Sequence, residues 1–309
     1  MESAYPGELP PERRVIHLIP QGYSVDGLKG VKNPIGMHAL KLDVETLCIV
    51  GPATAAENLV RSVQGNGVEV QSIIMAGMAT AESALSRDEK ETGVVLLEIG
   101  AGCTTVSVFQ QGILLNAAVL PVGGMQFTTD LAVALSAPYS VAEEVKVLHG
   151  CATPEDAGDE RIEIEAFGDR QTVKVERKEI SRYLHDRAEE VLRLAHLKVT
   201  GFGLPNIPPA GVVLCGGAAK LPGIQKIARQ VFACPVRIGL PEPLEGMPEG
   251  FQDPAYSASL GTLLWGMRNG IQQGIVQKLN GEMVIAPKSL RTNSGPLRWF
   301  KSRAKRLAL

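Results

Sequence analysis

Apolar residues form two short runs on either side of a glycine-rich segment near residue 100. Residues 94–97 are four consecutive apolar side chains, and residues 106–109 alternate before ending in Phe109. A continuous apolar run bounded by glycine is typical of a buried strand, and an alternating run is typical of its hairpin partner. The pattern therefore predicts two paired strands joined by a loop over residues 98–105.

The same periodicities divide most of the chain into short elements. Strands are predicted at residues 15–19, 40–50, 68–74, 113–120, 161–167, 171–176, 211–215 and 236–238. Helices are predicted at residues 53–63, 75–86, 127–135, 140–148, 179–199, 224–232 and 255–265. Pro20 is expected to end the first strand, and Ser140 to cap the helix over 140–148. This order of elements predicts an α/β fold in which helices cover a mixed sheet.

Composition places the chain among ordinary globular proteins and gives it no general affinity for nucleic acid. It has 309 residues, of which 45% are hydrophobic and 21% are charged, and its net charge is −2. This length suggests two domains. The five cysteines are scattered and form no Cys-x-x-Cys pair, which argues against a disulfide framework and a zinc site and fits a reducing cytosol.

Charge is concentrated at the end of the chain. After Met283 there are seven Lys or Arg and no Asp or Glu, so the remainder carries −9. Residues 297–309 can form a helix with apolar residues on one face and basic residues opposite, which is typical of a helix lying on anionic lipid. The residues assigned to this membrane contact are Leu297, Trp299, Phe300, Lys301, Arg303, Lys305, Arg306 and Leu307. The alternatives are a disordered cationic end and a nucleic-acid patch.

Two glycine-rich turns are the candidate ligand-binding features of this chain. Gly100 and Gly102 follow the strand over 94–97, and Gly216 and Gly217 follow the strand over 211–215. Glycine lets backbone N–H groups converge on an anion, and open α/β folds bind ligands where strands end. The sequence therefore predicts a phosphate-binding turn; the alternative is an ordinary hairpin turn rich in glycine and threonine.

These turns resemble motifs of the actin/Hsp70/sugar-kinase fold, and within it the FtsA family of bacterial cell-division proteins. Residues 98–105 (EIGAGCTT) resemble the second phosphate motif, and residues 213–219 (VLCGGAA) with Pro222-Gly223 resemble the adenosine motif. Three further stretches resemble the FtsA family, namely residues 31–37 (VKNPIGM), residues 142–152 (AEEVKVLHGCA) and residues 256–261 (YSASLG). The resemblance extends from about Arg13 to Trp265 and reappears in the tail.

The resemblance implies an actin-like ATPase fold with an FtsA-type inserted subdomain. The implied parts are the FtsA-specific subdomain (1–72, with a disordered start over 1–14), a connecting helix of the first lobe (73–92), the second nucleotide-binding lobe (93–135 and 207–245), an outer subdomain (136–206), a closing loop and helix (246–268), a linker (269–294) and the membrane helix (295–309). The family's first phosphate motif has no counterpart in residues 1–40, so we expect the first lobe to be N-terminally incomplete.

The resemblance also implies a site for ATP with Mg²⁺, and no metal held by the protein alone. Its residues are Glu98, Gly100, Gly102, Cys103, Thr104, Gly123, Gly124, Glu143, Lys146, Gly216, Gly217 and Ala218. Glu143 and Lys146 match positions flanking the adenosine; their spacing alone also fits a solvated pair on a helix face. Glu98 stands where the family has Asp, and Cys103 stands where it has Thr, so we expect ATP binding with little or no hydrolysis.

The same resemblance implies that the protein tethers the tubulin-like division GTPase FtsZ to the cytoplasmic face of the membrane at the division site and helps assemble the division ring. The outer subdomain is the expected FtsZ-binding surface, and self-association is expected. The alternative function is that of an actin-fold small-molecule kinase. Such an enzyme places a carboxylate base beside the γ-phosphate, and the sequence offers no candidate for that base.

Overall fold

The computed structural model describes residues 9–168, 172–244 and 246–273, and two short strands at 277–279 and 282–284. The chain divides into two compact units, residues 1–261 and residues 262–309. The first contains almost all of the described elements. The predicted membrane helix over 295–309 lies outside the described residues.

A three-stranded antiparallel sheet opens the first unit. Its strands are β1 (Arg13–Val25), β2 (Leu28–Val31) and β3 (Leu42–Pro52), in the order β2-β1-β3. The expectation that Pro20 ends the first strand is wrong. Pro20 lies opposite Thr46 within β1, and the register shifts between Pro20 and Gly22. Such an irregularity accommodates a residue without an N–H donor, so the strand continues.

Helices follow this sheet directly. Helix α1 (Ala53–Gln64) leaves β3 without a loop, and α2 (Ala76–Ala84) and α3 (Arg87–Thr92) follow. A capping box at Ser86 begins α3. The prediction of a strand at 68–74 is wrong: residues 68–75 have no regular secondary structure. An alternating pattern forms a strand only where a neighbouring strand edge pairs with it.

The remaining elements build the body of the first unit and the start of the second. In chain order they are β4 (Val94–Ile99), β5 (Thr104–Gln110), β6 (Ile113–Leu120), α4 (Gly124–Ala134), α5 (Tyr139–His149), β7 (Arg161–Glu165), β8 (Thr172–Glu176), α6 (Arg177–Thr200), β9 (Val212–Cys215), α7 (Ile224–Phe232), β10 (Val236–Ile238), α8 (Ser257–Gln273), β11 (Gln277–Leu279) and β12 (Glu282–Val284). Five of these strands form one mixed sheet in the order β10-β9-β4-β5-β6. Strand β4 is parallel to β9 and antiparallel to β5, which confirms the predicted hairpin.

The mixed sheet is covered on both faces, which explains the unbroken apolar run of β4. Val95 and Leu97 belong to the larger core, which is completed by α4, α5, α6 and α7. Val94 and Leu96 belong to a smaller core against α2. A strand buried on both faces loses the alternation of polar and apolar residues.

Three further boundaries differ from the sequence prediction. Helix α5 begins at Tyr139 after Pro138, and no side chain caps it, so the prediction of Ser140 as N-cap is wrong. Helix α8 continues to Gln273, and β11 pairs with β12, so part of the predicted 269–294 linker is regular structure. Within the described residues, no helix is both long enough and apolar enough to cross a membrane.

Candidate functional site

The two glycine turns lie side by side because their strands are neighbours. Strands β4 and β9 are parallel and in register, with Glu98 opposite Cys215, so both chains turn at the same edge of the sheet. Gly216 has φ +86°, and a Cβ on it would lie 2.3 Å from the carbonyl oxygen of Ile99. Only glycine permits this close approach.

The first turn is fastened to the start of α4. The N–H of Gly100 donates to Cys103 O (2.9 Å), and the N–H of Gly124 donates to Gly100 O (2.8 Å). The N–H of Gly123 donates to the side chain of Gln126 (2.8 Å), and a Cβ on Gly123 would lie 2.6 Å from Gly100 O. Gly123 and Gly124 therefore shape the turn through N–H groups that are already paired.

A cavity of about 650 Å³ opens beside these turns, within the range of small-molecule sites. Its lining residues are Gly100, Ala101, Gly124, Met125, Phe127, Tyr139, Glu143, Lys146, Val147, Gly217, Ala218, Lys220, Leu221, Pro222 and Ala255. Six predicted site residues are in that lining, and the other six are not, namely Glu98, Gly102, Cys103, Thr104, Gly123 and Gly216. The structure thus brings both glycine turns and the Glu143–Lys146 pair to one cavity.

Sequence reasoning missed several lining residues, and two signals could have found some of them. Tyr139 and Val147 lie on the same face of α5 as Glu143 and Lys146, at helical spacing. Lys220, Leu221 and Pro222 directly follow the second glycine turn. Met125, Phe127 and Ala255 come from segments whose position only the fold reveals.

One wall of the cavity carries a hydrogen-bonded ion pair. Lys146 Nζ lies 2.7 Å from Glu143 Oε2, 2.8 Å from Thr128 Oγ1 and 3.1 Å from Gly124 O. The Thr128 hydroxyl donates to the same Glu143 oxygen. Burial alone would raise the pKa of Glu143, but the hydrogen bonds from Lys146 and Thr128 and the lysine charge hold it below its ordinary value. Because Lys146 is largely buried and also bonds α4, the pair is not a solvated helix-face pair.

Another part of the cavity wall joins the second turn to the segment before α8. The N–H of Gly216 donates to Pro254 O (3.0 Å), and Lys220 forms an ion pair with Asp253. Asp253 also accepts from the N–H of Ala255 (2.8 Å). Burial acts to raise the pKa of Asp253, but these partners hold it below its ordinary value.

Glu98 is directed away from the cavity, towards α2. Along β4 it alternates with the residues of the larger core and so shares the face of Val94 and Leu96. Burial raises the pKa of Glu98, although the Thr80 hydroxyl on α2 opposes that rise. Burial also raises the pKa of Cys215, its neighbour on β9, to about 12.

The threonine and cysteine of the first turn have different environments. Thr104 is fully buried, and its hydroxyl donates to Val122 O (2.8 Å), which ties β5 to the segment before α4. Cys103 and Gly102 are exposed at the tip of the turn. Within the described part of the chain, no three His, Cys, Asp or Glu residues come together as a metal site.

Two family profiles match this chain. The profile described as "Cell division protein FtsA" matches residues 95–261, and the one described as "SHS2 domain inserted in FTSA" matches residues 1–50. The cell division protein FtsA of Pseudomonas aeruginosa is 34% identical over 269 residues, covering 87% of this chain and 64% of that protein. The FtsA of Escherichia coli K12 is 34% identical over 282 residues, covering 89% and 65%. The chain thus spans a little under two thirds of these relatives.

Solved structures establish the fold. The PilM–PilN type IV pilus biogenesis complex has a chain with a TM-score of 0.61 and 18% identity, covering 86% of this chain and 69% of that one. MreB5 of Spiroplasma citri bound to ADP gives a TM-score of 0.57 and 19% identity, covering 73% and 68%. The predicted actin-like α/β fold is therefore confirmed. By its sequence relatives and both profiles, the chain belongs to the FtsA family of actin-like cell division proteins.

Proposed function

We propose that this protein tethers the FtsZ polymer to the cytoplasmic face of the membrane at the division site and helps assemble the division ring, with ATP bound in its actin-like body. The observation that carries this proposal is the 650 Å³ cavity between the two glycine turns in a chain of the FtsA family. A nucleotide in this cavity contacts the edge of the sheet, α4 and α5 at the same time.

The lining of the cavity fits a nucleotide. Gly217 has open space where a Cβ would be, so a flat purine can approach the backbone there. Glu143 offers a charged acceptor on the adjoining wall, and Lys146 holds that carboxylate in place. The turn at Gly100 and Ala101 is the place for phosphates.

The described residues do not by themselves fit a protein-held magnesium ion. Glu98 is the only acidic residue of the first turn, and it lies on the α2 side of the sheet. Mg²⁺ commonly enters such sites with the triphosphate and its own waters. We therefore propose that any magnesium accompanies the nucleotide, and we expect little or no hydrolysis.

Equilibrium binding of a fluorescent ATP analogue, with and without magnesium, tests the nucleotide part. Micromolar binding that unlabelled ATP displaces would support a nucleotide-responsive tether. Absence of binding up to millimolar concentrations would reject ATP as the ligand. That result would not bear on the membrane part of the proposal, which the vesicle experiment below tests.

To act as a tether, the protein needs one surface that contacts the membrane and another that contacts FtsZ. For the membrane we propose residues 295–309, whose basic and apolar residues suit an anionic surface. For FtsZ we propose the outer subdomain, residues 136–206. Large apolar side chains are exposed there, including Leu148, Phe167 and Leu197.

Sedimentation with anionic vesicles tests both contacts. The full chain should pellet, should carry FtsZ with it, and should lose pelleting as salt rises. The chain ending at residue 294 should pellet much less than the full chain. Pelleting of the truncated chain to the same extent would refute the tail as the main anchor, and failure of FtsZ to follow the full chain would refute the tether.

A further inference from the structure

The segment between the start of β2 and the start of β3, residues 28–42, exposes unusually many large apolar side chains. Ile35 is 87% exposed and Leu40 is 102% exposed. The exposed apolar residues of this segment are Leu28, Ile35, Met37, Leu40 and Leu42. Holding so many aliphatic side chains in water is unfavourable, and a cluster of this kind commonly marks a binding surface.

Hydrogen bonds hold this segment in place. The Asp26 carboxylate accepts from the N–H of Leu40 (3.0 Å) and of Lys41 (2.7 Å), and the N–H of Asp26 donates to Lys41 O (2.9 Å). Near the tip, Asn33 Oδ1 accepts from the N–H of Ile35 (3.1 Å). The exposed aliphatic side chains are thus presented by an ordered backbone.

The segment projects into open space. Added Cβ atoms at Gly27, Gly30 and Gly36 would meet no heavy atom within 4 Å. Ile35 and Leu40 are almost completely exposed as well, at 87% and 102%. A projecting set of side chains fits a soft, extended surface better than it fits a peptide, which needs walls to lie between.

The charge of the segment has one sign. Residues 28–42 contain Lys29, Lys32 and Lys41 and no Asp or Glu. Lys41 is paired with Asp43 (2.9 Å). Lys29 and Lys32 form no ion pair with any residue that the structure describes, so their charges are available to an anionic partner.

We propose that residues 28–42 form a second membrane contact, in which Ile35 and Leu40 enter the interfacial layer and Lys29 and Lys32 meet anionic lipid headgroups. Interfacial binding combines buried apolar area with attraction of Lys and Arg to anionic lipid. This contact is separate from the C-terminal segment. It is therefore tested independently of the proposed anchor.

Vesicle affinity of the full chain gives the first test, with phosphatidylcholine vesicles containing phosphatidylglycerol. Ile35→Ser with Leu40→Ser should weaken binding about tenfold, because two aliphatic side chains no longer leave water. The matched control is Leu59→Ser with Val68→Ser, which removes two other exposed aliphatic side chains, 58% and 56% exposed, outside the segment. Lys29→Gln with Lys32→Gln should weaken binding roughly thirtyfold, and only to the anionic vesicles. Equal affinities of the serine variant and its control would overturn the proposal.

Fluorescence quenching gives a second test that does not depend on affinity. In a chain carrying Trp265→Phe and Trp299→Phe, Ile35→Trp places the only tryptophan in the segment. Vesicles with brominated acyl chains should lower its emission at least about twofold if the side chain enters the interface. Unchanged emission while the chain is vesicle-bound would overturn the contact. So would loss of self-association in the serine variant with unchanged vesicle affinity, since the segment would then bind a second copy.

Discussion

Gly216 and Ile99 approach so closely that a Cβ on Gly216 would lie 2.3 Å from the Ile99 carbonyl oxygen. The two residues end neighbouring parallel strands, and their contact brings the two glycine turns together. Gly217, the next residue, has nothing within 4 Å of its own Cβ position. Adjacent glycines in one turn thus have different roles.

Gly216→Ala should lower the free energy of unfolding by at least about 2 kcal/mol, from the positive φ and from the clash with Ile99. Gly217→Ala is the matched control and should change that free energy by less than about 1 kcal/mol. Urea denaturation of both variants measures the difference. Equal stability of the two variants would show that the strand ends separate easily.

Glu98 should make the protein less stable as the pH rises. Its pKa is raised by burial, so the folded state resists ionisation of this carboxyl. The cost is absent below the ordinary pKa of 4.5 and grows as the pH passes through the raised value. We therefore expect Glu98→Gln to increase the free energy of unfolding at pH 8 and to leave it unchanged near pH 4, as measured by urea denaturation.

Glu89 provides the control of opposite sign. Burial acts to raise its pKa, but hydrogen bonds from Arg237 and Ser86 and the arginine charge outweigh it, so the pKa is lowered. Its stabilising contribution is complete above pH 4.5 and is lost as the pH falls through the lowered value. Glu89→Gln should therefore destabilise at pH 8. If both variants shift stability in the same direction there, the assigned environment of Glu98 is wrong.

Lys146→Met should weaken binding of the ATP analogue by about tenfold or more, because it removes the cation that holds Glu143 and α4 in place on the cavity wall. The control is Lys174→Met, which breaks an exposed ion pair with Glu163 on β7–β8. That variant should bind within roughly twofold of the unaltered chain. Equal affinity of the two lysine variants, at equal thermal stability, would place the nucleotide elsewhere.

The contact between Arg187 and Asp130 should contribute measurably to stability. Two parallel hydrogen bonds, of 2.5 and 2.9 Å, join α6 to α4 at a partly buried position. Arg187→Ala should cost about 1–3 kcal/mol of unfolding free energy. Arg193→Ala, which breaks an exposed pair with Glu189 on the same helix, should cost less than about 1 kcal/mol. Urea denaturation compares them, and equal costs would contradict a structural role for the Arg187 contact.

The sequence by itself determined the parts that depend on local pattern. The sequence predicted the apolar run of β4, its hairpin with β5, the glycines after β4 and β9, and the amphipathic helix α6. Burial of one face of a strand or helix gives its apolar residues a characteristic spacing, and this spacing is visible in the sequence. Glu143 and Lys146 were identified from a family resemblance, and their shared helix face is local as well. These signals were sufficient for the fold class and for six of the fifteen residues that line the cavity.

Only the tertiary structure decided the features that depend on neighbours. Residues 68–74 carry a strand pattern but find no strand edge, and Pro20 lies inside a strand because a register shift accommodates it. The strand pairing of β4 with β9 sets the contact of Gly216 with Ile99, although these residues are far apart in the chain. The pleat of β4 directs Glu98 to α2 and away from the cavity, because successive side chains alternate between the faces of a sheet. The local sequence pattern therefore indicates which residues are buried in a strand or helix, and tertiary packing decides which residues they contact.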